Sequence, residues 1–480
     1  MIFPVAIDTF SLTFAALAVY LTITVSIYTP GYDDHMRGYG RFIYRTFPWA
    51  FCLFSCLGVL SGNWFLFTIF VELSSLVLFF MISISDTSAA KLYLLSQLAG
   101  ASLLLTGTAM LYSATGSTAI GPVPRNCLWL FLCGLGIKAA FPVLHFWLPA
   151  VHSRAATPTS ALLSGFAVKI GVFGTGRLVS ADTGPTLLLL GSIMAVYGVG
   201  RALIQHDAKR LLAWHTISQL GYIVAAFGVG TPLGFAAGFF HAIAHGLFKA
   251  LLFLSAGSLE KVCGTKDLKQ LGGAAGTTPL TFVFFLVGAL AISGCPGFSG
   301  FASKTMIKAA LHESGNTTCY WILQAVGAGT VVSFCKMGYM AFLRKPVKNP
   351  ARPPKRAPGK RSDNLRNLGM VLPAFATIIL GLVPGFFAGT GGLDTHYLFK
   401  TANILSATGT LALGLGLFVF LRKWLETDKD PIPDADMLVE KGVVIFGNIC
   451  STLQTAHCGM LRVYIAVTVG TGIVLSLLLR

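Results

Sequence analysis

Runs of about 20 apolar residues recur along nearly the whole of this 480-residue chain, each long enough to cross a bilayer as a helix. They fall at 8–28, 47–61, 63–84, 89–112, 126–150, 155–180, 185–205, 211–230, 232–257, 279–312, 317–343, 367–388, 402–421 and 459–479. Hydrocarbon offers no hydrogen-bond partner to an open backbone, so a chain built this way folds as a bundle of helices. The expected fold is therefore all-α, a polytopic membrane protein with about fourteen transmembrane helices. Composition agrees, with 11% charged residues and a mean hydropathy of +0.73. Soluble domains carry roughly 25% charged residues. A water-soluble enzyme, a disordered scaffold and a nucleic-acid-binding domain are excluded.

The net charge of +17 belongs to the short loops and not to a nucleic-acid surface. Loops after odd-numbered segments hold 23 Lys and Arg, whereas loops after even-numbered segments, with the C-terminus, hold only Arg125, Arg177, Lys400 and Arg480. Basic loops stay on the cytoplasmic side, so the odd loops are expected there, with both termini on the outer face of a cytoplasmic membrane. The basic, Pro-rich stretch 344–366 fits a solvated topology signal, and binding of a partner or anionic lipid is the alternative. The ten cysteines are scattered, mostly within apolar runs, and are read as small core residues and not as metal or cluster ligands. No cleavable leader is expected, because the first apolar run lacks a basic flank before it.

Ionisable residues inside the apolar runs carry the functional signal, because each costs at least about 2.5–3.5 kcal/mol at a helix centre unless it is paired or hydrated. Of eighteen acids only Glu72 lies near the middle of a segment. Lys138 and Lys169 occupy the middles of the fifth and sixth segments, Lys304 lies in the tenth and Lys336 in the eleventh. His241, His245 and Lys249 follow one another at i, i+4 and i+8, along one helix face. Two histidines at that spacing can bind zinc, but without a carboxylate or third ligand in the segment they make a poor metal site. A row of hydrated groups that pass protons fits better. No metal and no cofactor is expected.

Two segments are irregular. The fifth contains Pro142 and Pro149, and the tenth contains Gly294-Cys295-Pro296-Gly297. Broken helices persist at membrane depth only where protein or a wet cavity satisfies the freed backbone. Lys138 precedes Lys169 by 31 residues and Lys304 precedes Lys336 by 32, in each case from a broken segment into the next one. This suggests two five-helix repeats, 47–180 and 185–343, inverted because the helix count is odd. The remaining divisions are an N-terminal helix and loop (1–46), the basic loop (344–366) and C-terminal helices (367–480).

Four stretches then make the sequence recognisable. KAAFPVLHFWLPAVHSRAATPTSALLSGFAVKIGVFGTGRL, HDAKRLLAWHTISQLGY, FHAIAHGLFKALLFLSAGSLE and GFSGFASK resemble the proton-conducting antiporter-like family. That family includes subunits of respiratory complex I, of Mrp-type sodium/proton antiporters, and of membrane-bound hydrogenases and formate hydrogenlyases. The resemblance covers roughly residues 8–343. It implies two inverted bundles, each contributing half of an ion path, and other membrane subunits as partners. It also implies roles at matching positions. Glu72 resembles the essential intramembrane glutamate, Lys138 its lysine partner in the first broken helix, and Lys169 the lysine joining the two half-paths. His241, His245 and Lys249 match the central polar row, and Lys304 the charged position of the second broken helix. Lys336 is supported by the repeat spacing.

The chain departs from the family at Ala150, where WLPDAH usually has an acid, and relative to the family pattern its first segment corresponds to the third. LQTAHCGMLRVYI near its end is closer to the hydrogenase-type and Mrp-type members. The expected function is translocation of protons, with sodium as the alternative ion, by one subunit of a redox-driven complex whose redox centres lie in its partners. A stand-alone Mrp-type antiporter shares the same path chemistry. A structural membrane anchor would need none of the buried charges.

Overall fold

The computed structural model describes residues 5–33, 36–346 and 360–427. The expected span 459–479, most of the basic loop and the LQTAHCGMLRVYI stretch lie outside the described residues. The helices, in order, are α1 (Thr9–Tyr32), α2 (Gly38–Val59), α3 (Trp64–Ser83), α4 (Thr87–Thr115), α5 (Arg125–Lys138), α6 (Trp147–Arg154), α7 (Thr157–Leu162), α8 (Val168–Arg177), α9 (Gly184–Ile204) and α10 (Ala208–Gly228). Then come α11 (Pro232–Cys263), α12 (Ala274–Thr277), α13 (Pro279–Ser293), α14 (Ser299–Glu313), α15 (Thr317–Gly338), α16 (Lys360–Leu382), α17 (Gly385–Thr390), α18 (Thr395–Leu398) and α19 (Thr401–Leu425). Short polar side chains start several of them. Asp8, Asn63, Asp86 and Asp207 each accept a hydrogen bond from the amide three residues on. Gly116 and Gly264, both left-handed, close α4 and α11.

Among the described residues ten helical stretches are long and apolar enough to cross a membrane, and the chain is a multi-pass membrane protein. Three expected spans, 126–150, 155–180 and 279–312, are absent from those ten; the first and third are interrupted, whereas the second is helical throughout 157–177 and is less apolar. The first break separates α5 from α6, with Ala140 (φ 55°) and Val143 (φ 70°) in left-handed conformation. A β-branched residue there is strained by about 1–3 kcal/mol. Pro142 lies in the break, but Pro149 does not interrupt anything. It sits in the first turn of α6, where an amide hydrogen would be unbonded in any case. The second break, between α13 and α14, uses Gly294 (φ 79°) and Gly297 (φ 90°), which take this conformation without strain. A third irregularity has no proline or glycine pair to announce it. The helix between α7 and α8 widens into a π-turn at Leu163–Ala167.

Contacts between loops show that the spans alternate in direction. Arg45 pairs with Asp33, Lys261 donates to the Tyr32 carbonyl, Arg344 donates to the carbonyls of Leu268, Lys269 and Leu271, and the His206 ring meets the Leu425 carbonyl. All of these residues follow odd-numbered spans. Asn63 bridges to Ala119, Arg177 pairs with Asp8, and Arg125 pairs with Asp182. These residues lie at the start of odd-numbered spans, at the end of even-numbered ones or in the loops between. Among the described residues the basic asymmetry therefore separates two opposite ends of one bundle.

At its centre α10 and α11 are fully enclosed by other helices. α9 lies against α10 with backbone touching backbone, since a Cβ on Gly191 would overlap the amide of Ala225, and one on Gly228 the amide of Leu188. α11 crosses the π-turn in the same manner at Gly165 and Gly246, which brings the segment carrying Lys169 against the one carrying His245.

Candidate functional site

Lys138 is the last residue of α5, and the break leaves its ammonium at the end of a helix instead of along one. Nζ donates to Glu72 Oε2 at 3.1 Å and to Gln97 Oε1 at 3.3 Å. The lysine side chain is 3% exposed and the glutamate 21%. Trp147 Nε1 donates to the Ile137 carbonyl at 2.8 Å, which ties the start of α6 to the end of α5 across the break. A cavity of about 10 Å³ beside Lys138, lined also by Gln97, Ser74, Ser75, Ala167 and Ile170, reaches the next helix. That is room for roughly one water.

Lys169 follows the π-turn and donates to the Ser164 carbonyl that the turn frees. Lys249 Nζ donates to the Leu212 carbonyl at 2.6 Å and lies 5.9 Å from the centre of the Phe253 ring. The three residues of the α11 row are fully buried. The rings of His241 and His245 are parallel, 6.3 Å apart. His241 Nδ1 meets Ser303 Oγ at 2.9 Å and its Nε2 meets Gln219 Oε1 at 3.2 Å, whereas neither ring nitrogen of His245 has a hydrogen-bond partner among the described residues. Lys169, Lys249, His241 and Lys304 all lie within electrostatic reach of His245.

Lys304, just after the second break, donates to the Ile292 carbonyl at 2.6 Å, and its ammonium faces the Tyr222 ring 4.9 Å away. Lys308, one turn on, donates to Ser406 at 3.3 Å. The two lysines share a cavity of about 30 Å³ with Tyr222, Ser293, Thr305, Gln324 and Thr410. Lys336 is placed differently. Its Nζ donates to the carbonyls of Leu203 and Gln205, each at 2.8 Å, and so satisfies the last turn of α9.

The buried lysines thus divide by partner. Among the described residues Lys138 has a carboxylate, whereas Lys169, Lys249 and Lys304 each have a backbone carbonyl. A carbonyl accepts a hydrogen bond from an ammonium or a neutral amine alike. Such sites hold the nitrogen in place without fixing its charge, as proton transfer requires. Sequence reasoning missed Gln97, Gln219, Ser303, Tyr222 and Lys308. Gln97 and Gln219 are amides in apolar runs and Lys308 repeats Lys304 at i+4, so a signal existed for those three. Ser303 and Tyr222 are ordinary residues in membrane helices, placed here only by tertiary packing.

Comparison with known proteins points the same way. Residues 61–333 match the family described as NADH:quinone oxidoreductase/Mrp antiporter, TM. The chain is 29% identical to hydrogenase-4 component B of Escherichia coli, over 84% of this chain and 66% of that protein. It is 33% identical to the NAD(P)H-quinone oxidoreductase subunit 5 of Paulinella chromatophora, over 68% of this chain and 53% of that one. The chain thus spans between about half and two thirds of the length of these relatives. Its fold is similar to a chain in the structure of the Mrp complex from Dietzia sp. DQ12-45-1b, with a TM-score of 0.74 and 24% identity, covering 84% of this chain and 86% of that one. The chain belongs to the antiporter-like family of membrane subunits found in complex I, hydrogenases and Mrp antiporters.

Proposed function

We propose that this chain is the proton-translocating membrane subunit of a larger, redox-driven assembly, with Glu72, Lys138, Lys169, Lys249, the two histidines and Lys304 as its path. One observation carries this reading: a row of buried ionisable side chains runs from the Glu72–Lys138 pair to Lys304 through the enclosed helices of the bundle. A structural anchor gains nothing from such a row, since every member costs free energy in hydrocarbon. Two five-helix repeats fit the same residues. In each half the fourth helix is broken, and the fifth contains a π-turn close to its lysine, at 163–167 before Lys169 and at 339–343 after Lys336. Glu72 and Lys138 act as a switch. In contact, the carboxylate stabilises the ammonium; parted, the ammonium is uncompensated in low dielectric, and passing its proton onward relieves the strain. Partner subunits supply the drive.

The test is purification in mild detergent followed by reconstitution. Iron–sulfur-bearing partners and proton uptake driven by an electron donor are expected. Co-purification with small multi-pass proteins only, and sodium-driven proton movement, would replace this reading with the Mrp-type one.

Orientation has its own measurement. Lys345 and Asp182 are exposed at opposite ends of the bundle. In a background without reactive native cysteines, Lys345→Cys is expected to resist a membrane-impermeant thiol reagent in intact cells and to react in inverted vesicles. Asp182→Cys is expected to do the reverse. Labelling of Lys345→Cys from outside overturns the assignment of the odd loops to the cytoplasm.

A further inference from the structure

The row from Glu72 to Lys304 lacks a link to water at the odd-loop end of the bundle, and α11 supplies one. Lys249 and Glu260 are eleven residues apart, three helical turns, which places them on nearly the same face about 16 Å apart along the axis. Glu260 thus extends the row of His241, His245 and Lys249 toward the aqueous end. It is 30% exposed, and its Oε2 lies 2.6 Å from Lys209 Nζ, which is 3% exposed in the first turn of α10.

Lys209 also donates to the Ala155 carbonyl at 3.2 Å, at the end of α6. One turn back on α6 stands His152. It is fully buried, its ring is stacked 4.6 Å from that of Phe253, and neither ring nitrogen has a hydrogen-bond partner among the described residues. Leaving such an imidazole unsatisfied costs about 1–3 kcal/mol. Phe253 also faces the Lys249 ammonium, 5.9 Å from its ring centre, so one aromatic side chain lies beside both groups. The neighbouring charges are internally matched, since Asp207 pairs with Lys266 at 3.0 Å and also accepts from Ser153.

We infer that Glu260 is the group that loads protons from the aqueous phase on the odd-loop side, and that His152 carries them from Glu260 to Lys249. Lys209 is a positioning residue that holds the Glu260 carboxylate. Only O–H and N–H bonds change. Glu260 takes a proton from hydronium, releases it through water to an imidazole nitrogen of His152, and the imidazole gives it to the Lys249 amine. This rests on the proposed translocation function and adds the uptake end that the function requires.

The experiment compares intact complexes in proteoliposomes, driven by the complex's own electron donor or by a sodium pulse. Glu260→Gln keeps the shape of the side chain and its contact with Lys209 but cannot carry a proton. Proton uptake is expected to fall at least about a hundredfold, the lower end of losses for removed acid–base groups. Glu260→Asp should restore much of it. Glu260→Ala should be slow but recover when formate is added on the odd-loop side, a readout that a merely structural role would not move. His152→Phe, which preserves the stack on Phe253, should be as slow as Glu260→Gln and should not respond to formate. Glu72→Gln separates the two levels. If Glu72→Gln is inactive while Glu260→Gln runs at the parental rate, the uptake route is wrong and the function stands. If both run at the parental rate, the function itself is wrong. If Glu260→Ala assembles, is slow and gains nothing from formate, the residue is structural and the inference falls.

Discussion

Glu72→Gln is expected to assemble with its partners and move no measurable ions. The glutamine is isosteric, so packing around α3 is retained and its amide oxygen can still accept from Lys138. What it removes is the carboxylate 3.1 Å from a lysine that is 3% exposed. Breaking a buried pair by deleting one partner leaves an uncompensated charge worth about 3–5 kcal/mol. A penalty of that size, applied to one side of a switch, biases it by about two to three and a half orders of magnitude, since 1.4 kcal/mol is about tenfold. Gln97 cannot replace the lost charge, because its amide is neutral and it already contacts the same ammonium at 3.3 Å. The measurement is pH change inside proteoliposomes containing the assembled variant. Near-normal translocation by that material would remove Glu72 from the mechanism. Lys138→Met should give the same loss from the other side of the pair.

The part of this site that was legible in the sequence is the part that membranes make expensive. A carboxylate or ammonium in an apolar run is conspicuous, so Glu72, Lys138, Lys169, Lys249 and Lys304 stood out, as did the face shared by the two histidines. The broken helix at Gly294 was legible because glycine and proline are the residues that permit it. The π-turn before Lys169 was not. It packs through Gly165 against Gly246 of a helix distant in sequence, and the local stretch LLSGF contains nothing that demands it. Pro149 misled in the opposite sense, since a proline is harmless in a first helical turn. Lys336 falls at the expected interval and, like Lys169, Lys249 and Lys304, donates to backbone carbonyls, here at the end of α9. Glu260 lies at the end of a span, where acids are common, and gains significance only from what α6 and α10 bring beside it.

His245→Leu should cut translocation by at least about a hundredfold, the lower end of what loss of a proton-transfer group produces, while leaving assembly nearly intact. His245 sits between His241 and Lys249 on one face of an enclosed helix, and its ring centre is 6.3 Å from that of His241. No direct hydrogen bond joins the two rings, so a proton crosses only through a water or a moving side chain. Neither ring nitrogen has a protein partner among the described residues, and water is the other donor and acceptor able to satisfy them. Leucine removes the titratable group and also fills the polar space with hydrocarbon, expelling that water. The fold should tolerate this, because His245 already packs against Phe248, with ring centres 5.4 Å apart, and Gly246 keeps the close approach to Gly165. His245→Gln distinguishes the two effects. It restores polarity and holds water but cannot carry a proton. If glutamine recovers most of the rate lost with leucine, the row conducts through its water and the imidazole is a scaffold. If glutamine is as inactive as leucine, the imidazole itself carries the proton. Parental rates in both variants would take the α11 row out of the path and leave Lys169 to reach Lys304 by another route.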